Sequence, residues 1–173
     1  MARASEVTVT RRGAHLGAEV SGVDFSGPQS NSNRQAIWDG LMEHEVLVFP
    51  EIDISTDEQA AFGKQFGELS VHPFSPHDAD MPELIVLDND GERPPLATDV
   101  WHSDETFRAE PPMGTILRAR IVPEVGGDTL FASMTAAFDG LSERWQCFLT
   151  GLEAAHDFKP FRRLFSGDPA SRD

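Results

Sequence analysis

The sequence predicts a mainly β fold with flanking helices, an α+β arrangement, and three observations predict it. Short apolar runs rich in β-branched residues recur along the whole chain, at residues 7–10, 18–23, 45–49, 84–88, 115–122, 128–132 and 153–158. Helical patterns fall between and after these runs without regular βα alternation, which argues for a sheet-based core with helices packed outside it. A length of 173 residues suits one domain with a sizeable core, or part of a larger one.

Taken in order, residues 7–10 alternate apolar and polar and predict a first strand, punctuated by Gly13 and Gly17, and residues 18–23 predict a second that ends in a turn. His15 lies in the loop between them and reads as solvated. Ser32-x-x-Gln35 has the form of a capping box, and Ile37, Leu41 and Met42 follow at helical spacing, predicting a helix over 33–44. Residues 45–49 read as a buried strand stopped by Pro50. Ser55-x-x-Glu58 opens a second helix with Ala61, Phe62 and Phe66 on one stripe and Gly67 as its stop.

Residues 70–77 are an extended, proline-rich segment carrying His72 and His77. A loop rich in Asp, Pro and Gly spans 88–99, the kind of connection that commonly borders sites. Strand composition returns at 115–122, with Arg118 and Arg120 on one face, and again at 128–132 after a turn through Pro123–Gly127. Ser133 caps a short helix through Phe138, and a further helix from about Ser142 places Trp145, Phe148, Leu149 and Leu152 on one face. A last strand is predicted over 153–158, and the tail 165–173 is expected to be poorly ordered.

Composition narrows the functional classes. A net charge of −15 makes nucleic acid or an anionic membrane surface an unsuitable general partner, although it leaves room for a small anionic substrate met by one local cation. Cys147 is the single cysteine, so no intramolecular disulfide and no cysteine-based zinc site is expected; its apolar neighbours predict a buried thiol. The N-terminus lacks the apolar core of a secretory signal and no run reaches membrane-spanning length, so the expected location is the cytoplasm.

The stretch with the most chemistry is Trp101-His102-Ser103-Asp104-Glu105-Thr106-Phe107. In an extended segment residues i and i+2 face the same way, so His102 and Asp104 can reach one ion. An imidazole and a carboxylate suit a divalent metal of intermediate hardness, and two histidines with one carboxylate and open positions is the arrangement of non-haem Fe(II) oxygenases. On these residues alone, a surface His–Asp hydrogen bond is the simpler reading.

The neighbourhood changes that balance. Gly17-Ala18-Glu19-Val20-Ser21-Gly22-Val23-Asp24, Phe66-Gly67-Glu68-Leu69, the His102 stretch, Pro111-Pro112, Gly126-Gly127-Asp128-Thr129-Leu130-Phe131 and Ala155-His156-Asp157-Phe158 occur in one order. With them the chain, from about Val7 to about Phe158, resembles the taurine dioxygenase (TauD/TfdA) family of 2-oxoglutarate-dependent oxygenases. The resemblance implies a double-stranded β-helix, a cupin-like jelly roll whose open mouth holds iron. It implies Fe(II) bound by His102 and Asp104, with 2-oxoglutarate as co-substrate and Thr129 at its distal carboxylate. It further implies that His72 contacts the anionic head group of the substrate, with Thr98 at a second substrate-contact position. Trp101 reads as a pocket wall and His156 as structural.

The implied reaction is hydroxylation of a small anionic compound, taurine or a related sulfonate, with O2 consumed and succinate and CO2 released. The chain departs from the taurine-specific pattern at Ser75, where a Tyr is usual, at Thr98, where an Asn is usual, and at Glu105, where a small apolar residue usually follows the Asp ligand. Specificity rests on such polar contacts, so these departures point toward a sulfonate or other small anion besides taurine.

The family's second His ligand and its carboxylate-binding Arg lie far downstream of the first motif. None of His15, His44, His72, His77 or His156 has the matching context here, and Arg162 and Arg163 match no role. The expectation is therefore a jelly roll incomplete at its C-terminus, with residues 1–173 the N-terminal part of a single dioxygenase domain. Two other readings stay open: an inactive, truncated homologue serving as a binding or homo-oligomerising module, and a zinc or manganese protein using His72, His102 and Asp104.

Overall fold

The computed structural model describes residues 6–73, 80–87 and 100–157. The expected loop at 88–99 with Thr98, the positions Ser75, His77, Phe158, Arg162 and Arg163, and the tail 165–173 lie outside the described residues. The chain divides into two compact units, one made of Met1–Glu68 and Ile116–Leu152, the other of Leu69–Thr115 and Glu153–Asp173.

All regular elements among the described residues belong to the first unit. β1 (Thr8–Arg11) and β2 (Ala18–Ser21) pair antiparallel, with Val9 opposite Val20. β2 also pairs in parallel with β3 (Leu47–Val48), Ala18 opposite Leu47. A parallel pair needs a crossover, and α1 (Asn31–His44) supplies it. The helix approaches the sheet closely because Gly40 has no side chain: a Cβ there would lie 3.1 Å from both methyls of Val9. Buried Val7, Val20, Ile37 and Phe62 form the centre of the core. Around them Phe25, Phe49 and Phe66 surround Phe62 with ring centroids 4.8–5.8 Å away, mostly edge to face.

Capping explains where the helices begin. Ser30, not Ser32, caps α1, its hydroxyl accepting from the Asn33 amide at 3.1 Å. Several Ser and Asn residues in a row could serve; just before the cap, the Gln65 side chain accepts the Gln29 amide at 2.6 Å. Gln35 donates instead to Asp39. α2 (Thr56–Gly63) has the expected box: Ser55 Oγ accepts from the Glu58 amide at 3.2 Å, and Glu58 accepts from the Ser55 amide at 2.7 Å. It ends at Gly63 rather than Gly67, through tighter turns in which Gln65 and Phe66 donate to carbonyls three residues back. Ser133 caps α3 (Met134–Asp139) by accepting from the Ala136 amide, and its hydroxyl donates to Glu45 at 2.8 Å.

The later strands are where the structure departs from expectation. None of the described residues in 84–88, 115–122, 128–132 and 153–158 belongs to a strand. A β run becomes a strand only when a partner takes its amides and carbonyls, and residues 115–122 are held instead by side chains. Gln59 donates to the Ile116 carbonyl at 3.1 Å, while Arg118 donates to the Ile54 carbonyl and to Thr56 Oγ1. Apolar side chains there face solvent, with Ile121 95% and Val125 91% exposed. α4 (Glu143–Leu149) forms as expected, but Trp145 and Phe148 pack edge to face on each other in the open, and Cys147 is exposed rather than buried. An amphipathic pattern makes a helix; something must pack on its stripe to bury it. No helix among the described residues is long and apolar enough to cross a membrane.

Candidate metal centre

In the second unit, residues 101–103 are irregular and 104–107 form a turn, with no regular strand over 100–108. The His102 ring is oriented by its own backbone: Nδ1 lies 2.8 Å from the Val100 carbonyl. A carbonyl can only accept, so Nδ1 carries the proton and Nε2 of the neutral ring carries the lone pair. Nε2 lies 3.4 Å from Asp104 Oδ1. Asp104 is oriented in turn, because the Thr115 hydroxyl donates to its Oδ2 at 2.8 Å. Both side chains are about half exposed.

The arrangement therefore brings two acceptor atoms face to face. Either a proton on Nε2 or a cation held between the two atoms reconciles them. A ligand–metal distance of about 2.1 Å puts two ligands at right angles roughly 3.0 Å apart, so the observed 3.4 Å suits joint coordination of one ion. Partners that fix the tautomer of a ligating imidazole and orient a ligating carboxylate are a regular part of metal sites, and here Val100 and Thr115 are so placed. Among the described residues no cluster of three or more His, Cys, Asp or Glu could hold an ion.

The turn that follows ties in the His72 segment. Glu105 adopts φ +48°, and its largely buried carboxylate accepts from Arg108 Nε. Arg108 Nη2 donates to the Val71 carbonyl at 2.8 Å. The His72 and Phe107 rings meet edge to face at 6.3 Å. Thr106 Oγ1 lies 2.8 Å from His156 Nδ1. Trp101 is 70% exposed. Thr129 is exposed, in the first unit. A concavity of about 460 Å³ in that unit is lined by residues 14–16, 131–133, 136 and 137 and contains none of the candidate residues.

Three contributors were not foreseen from the residue pattern: Thr115, the Val100 carbonyl and the Glu105–Arg108 pair. The i, i+3 spacing of Glu105 and Arg108 is a readable signal. Thr115 gives none, because a threonine in a β-rich run reads as strand composition.

Residues 8–172 match the family described as "Taurine catabolism dioxygenase TauD, TfdA family". The chain is 37% identical over 143 residues to an alkylsulfatase of Acinetobacter baylyi, covering 82% of this chain and 44% of that protein. It is 32% identical over 155 residues to an alpha-ketoglutarate-dependent sulfate ester dioxygenase of Pseudomonas putida, covering 88% and 50%. Among solved structures, a taurine dioxygenase from Burkholderia xenovorans superposes with a TM-score of 0.70 at 29% identity, over 84% of this chain and 51% of that one. AAD-2 in complex with Mn(II) and N-oxalylglycine superposes with a TM-score of 0.62 at 27% identity, over 83% and 49%. The chain spans about half the length of these relatives.

Proposed function

Because the chain belongs to the TauD/TfdA family of dioxygenases, we propose that it carries half of the catalytic apparatus of an Fe(II)- and 2-oxoglutarate-dependent dioxygenase. His102 Nε2 and Asp104 Oδ1 are the proposed iron ligands. The observation that supports this is their 3.4 Å approach with Nδ1 already committed to a carbonyl. When bound, iron and 2-oxoglutarate supply the oxidant: O2 is consumed, 2-oxoglutarate loses CO2 to become succinate, and a substrate C–H becomes C–OH.

The chain's own residues orient and bind in this reading. Val100 and Thr115 hold the two ligands in register. Thr129 is proposed to donate to the distal carboxylate of 2-oxoglutarate, and His72 with Thr98 to contact the substrate's anionic group. The substrate proposed is a small organic anion, a sulfonate such as taurine or a sulfate ester, in line with what the relatives are named for. The proposed fold of the whole domain is the double-stranded β-helix, with residues 1–173 as its N-terminal part and the cytoplasm as its location.

A second reading, a binding or homo-oligomerising module without turnover, is favoured by one observation, the apolar side chains left exposed between residues 116 and 152.

Anaerobic titration with Fe(II) and 2-oxoglutarate separates the two. The dioxygenase reading expects a visible metal-to-ligand charge-transfer band that disappears in His102→Ala and Asp104→Ala. Absence of the band in the unaltered chain would leave the module reading standing.

A further inference from the structure

Resting on the reading just given, we infer that Arg108 is a positioning residue: it holds the segment bearing His72 against the metal-binding turn, and Glu105 holds Arg108. Glu105 directly follows Asp104 and stands in the left-handed region at φ +48°, where a side chain larger than Asn is uncommon. Its carboxylate is 12% exposed, so it needs a charge partner, and Arg108 Nε provides one. The turn is closed by the Arg108 amide, which donates to the Glu105 carbonyl at 3.0 Å.

The other arm of the guanidinium reaches 37 residues back along the chain to the Val71 carbonyl, at 2.8 Å. The planar fork of Arg serves two acceptors in fixed directions at once, whereas the Lys ammonium is a point charge on a flexible stem and imposes no such geometry. Residues 69–73, the described part of the segment it reaches, belong to no strand, and the guanidinium ties them to the turn. Phe107, between the two charged residues, meets the His72 ring edge to face. One side chain thereby couples the residue proposed to meet the substrate to the turn proposed to hold the metal. It also accounts for Glu105, whose charge is out of place beside a ligand unless it anchors Arg108.

The test uses Mn(II) as a paramagnetic probe and follows the histidine ring signals of the full 173-residue chain by NMR. Broadening falls steeply with distance from the ion. In the unaltered chain both His102 and His72 should broaden. In Arg108→Ala, His102 should still broaden while the effect on His72 is lost. Arg108→Lys, which keeps a cation beside Glu105 and guards against a folding defect, should lose it as well.

Unchanged broadening of His72 in both variants overturns the inference, as does a His72 signal untouched by Mn(II) in the unaltered chain when His102 responds. If neither histidine responds there, the metal reading fails, and the tether is decided in the metal-free chain. Arg108→Lys should then speed exchange of the Val71 and His72 amides by roughly fivefold, the scale of one partly exposed charge-assisted hydrogen bond. Unchanged exchange overturns it.

Discussion

The bond from His102 Nδ1 to the Val100 carbonyl leaves Nε2 as the only ring atom able to meet a cation, and Asp104 Oδ1 waits 3.4 Å away. Replacing either residue by Ala removes one of two ligands, so Mn(II) affinity measured by electron paramagnetic resonance should fall below detection in both variants. Thr115 acts one step further out, through Asp104 Oδ2. Thr115→Val keeps the shape and removes the donor; losses on removing such outer partners run to about 10–100-fold. Because Thr115 and Asp104 are exposed, the lower end, about tenfold weaker Mn(II) binding, is expected in the same titration.

At the scale of elements, α2 is held at its start by a reciprocal box and near its end by Phe62. Ser55→Ala should cost about 1 kcal/mol of stability by chemical denaturation, the usual worth of an N-cap side chain. Glu58 is held below its ordinary value of 4.5, first by the Ser55 amide and then by the Ser55 hydroxyl. Its folded value is the lower one, so the stability it contributes is full above pH 4.5 and is lost as pH falls through the folded value. The unaltered chain should therefore lose stability over that acid range more steeply than Glu58→Gln, whose side chain carries no proton to take up. Phe62 sits among three other phenyl rings and is 6% exposed; Phe62→Ala should cost about 3–5 kcal/mol, enough to unfold a marginal unit.

For the whole molecule the outstanding feature is apolar surface. Ile121, Val122, Val125, Leu130, Met134 and Leu152 are all well over half exposed in the first unit. Soluble monomers rarely leave so much apolar area uncovered, and water penalises it by about 25 cal/mol per Å². The 173-residue chain alone should bind a hydrophobic fluorescent dye and elute from size exclusion earlier as its concentration rises. Glu substitution at both Ile121 and Val125 should weaken both signals.

Local chemistry was legible in the sequence wherever the cause was local. The caps at Ser55 and Ser133, the helices at 134–139 and 143–149, the first strands and the H-x-D pair each depend on residues within a turn or two of one another. The ordered motifs fixed the family. Contacts between distant segments were not legible: that Gln65 accepts the Gln29 amide from 36 residues away, that Thr115 reaches Asp104, or that Arg108 reaches Val71. The same limit explains why the later runs form no strand among the described residues, and why Cys147 is exposed. A β-rich run or an apolar helix stripe states only a preference for burial, and whether a partner meets it is decided by tertiary packing, where each hydrogen bond and each buried face needs a second segment.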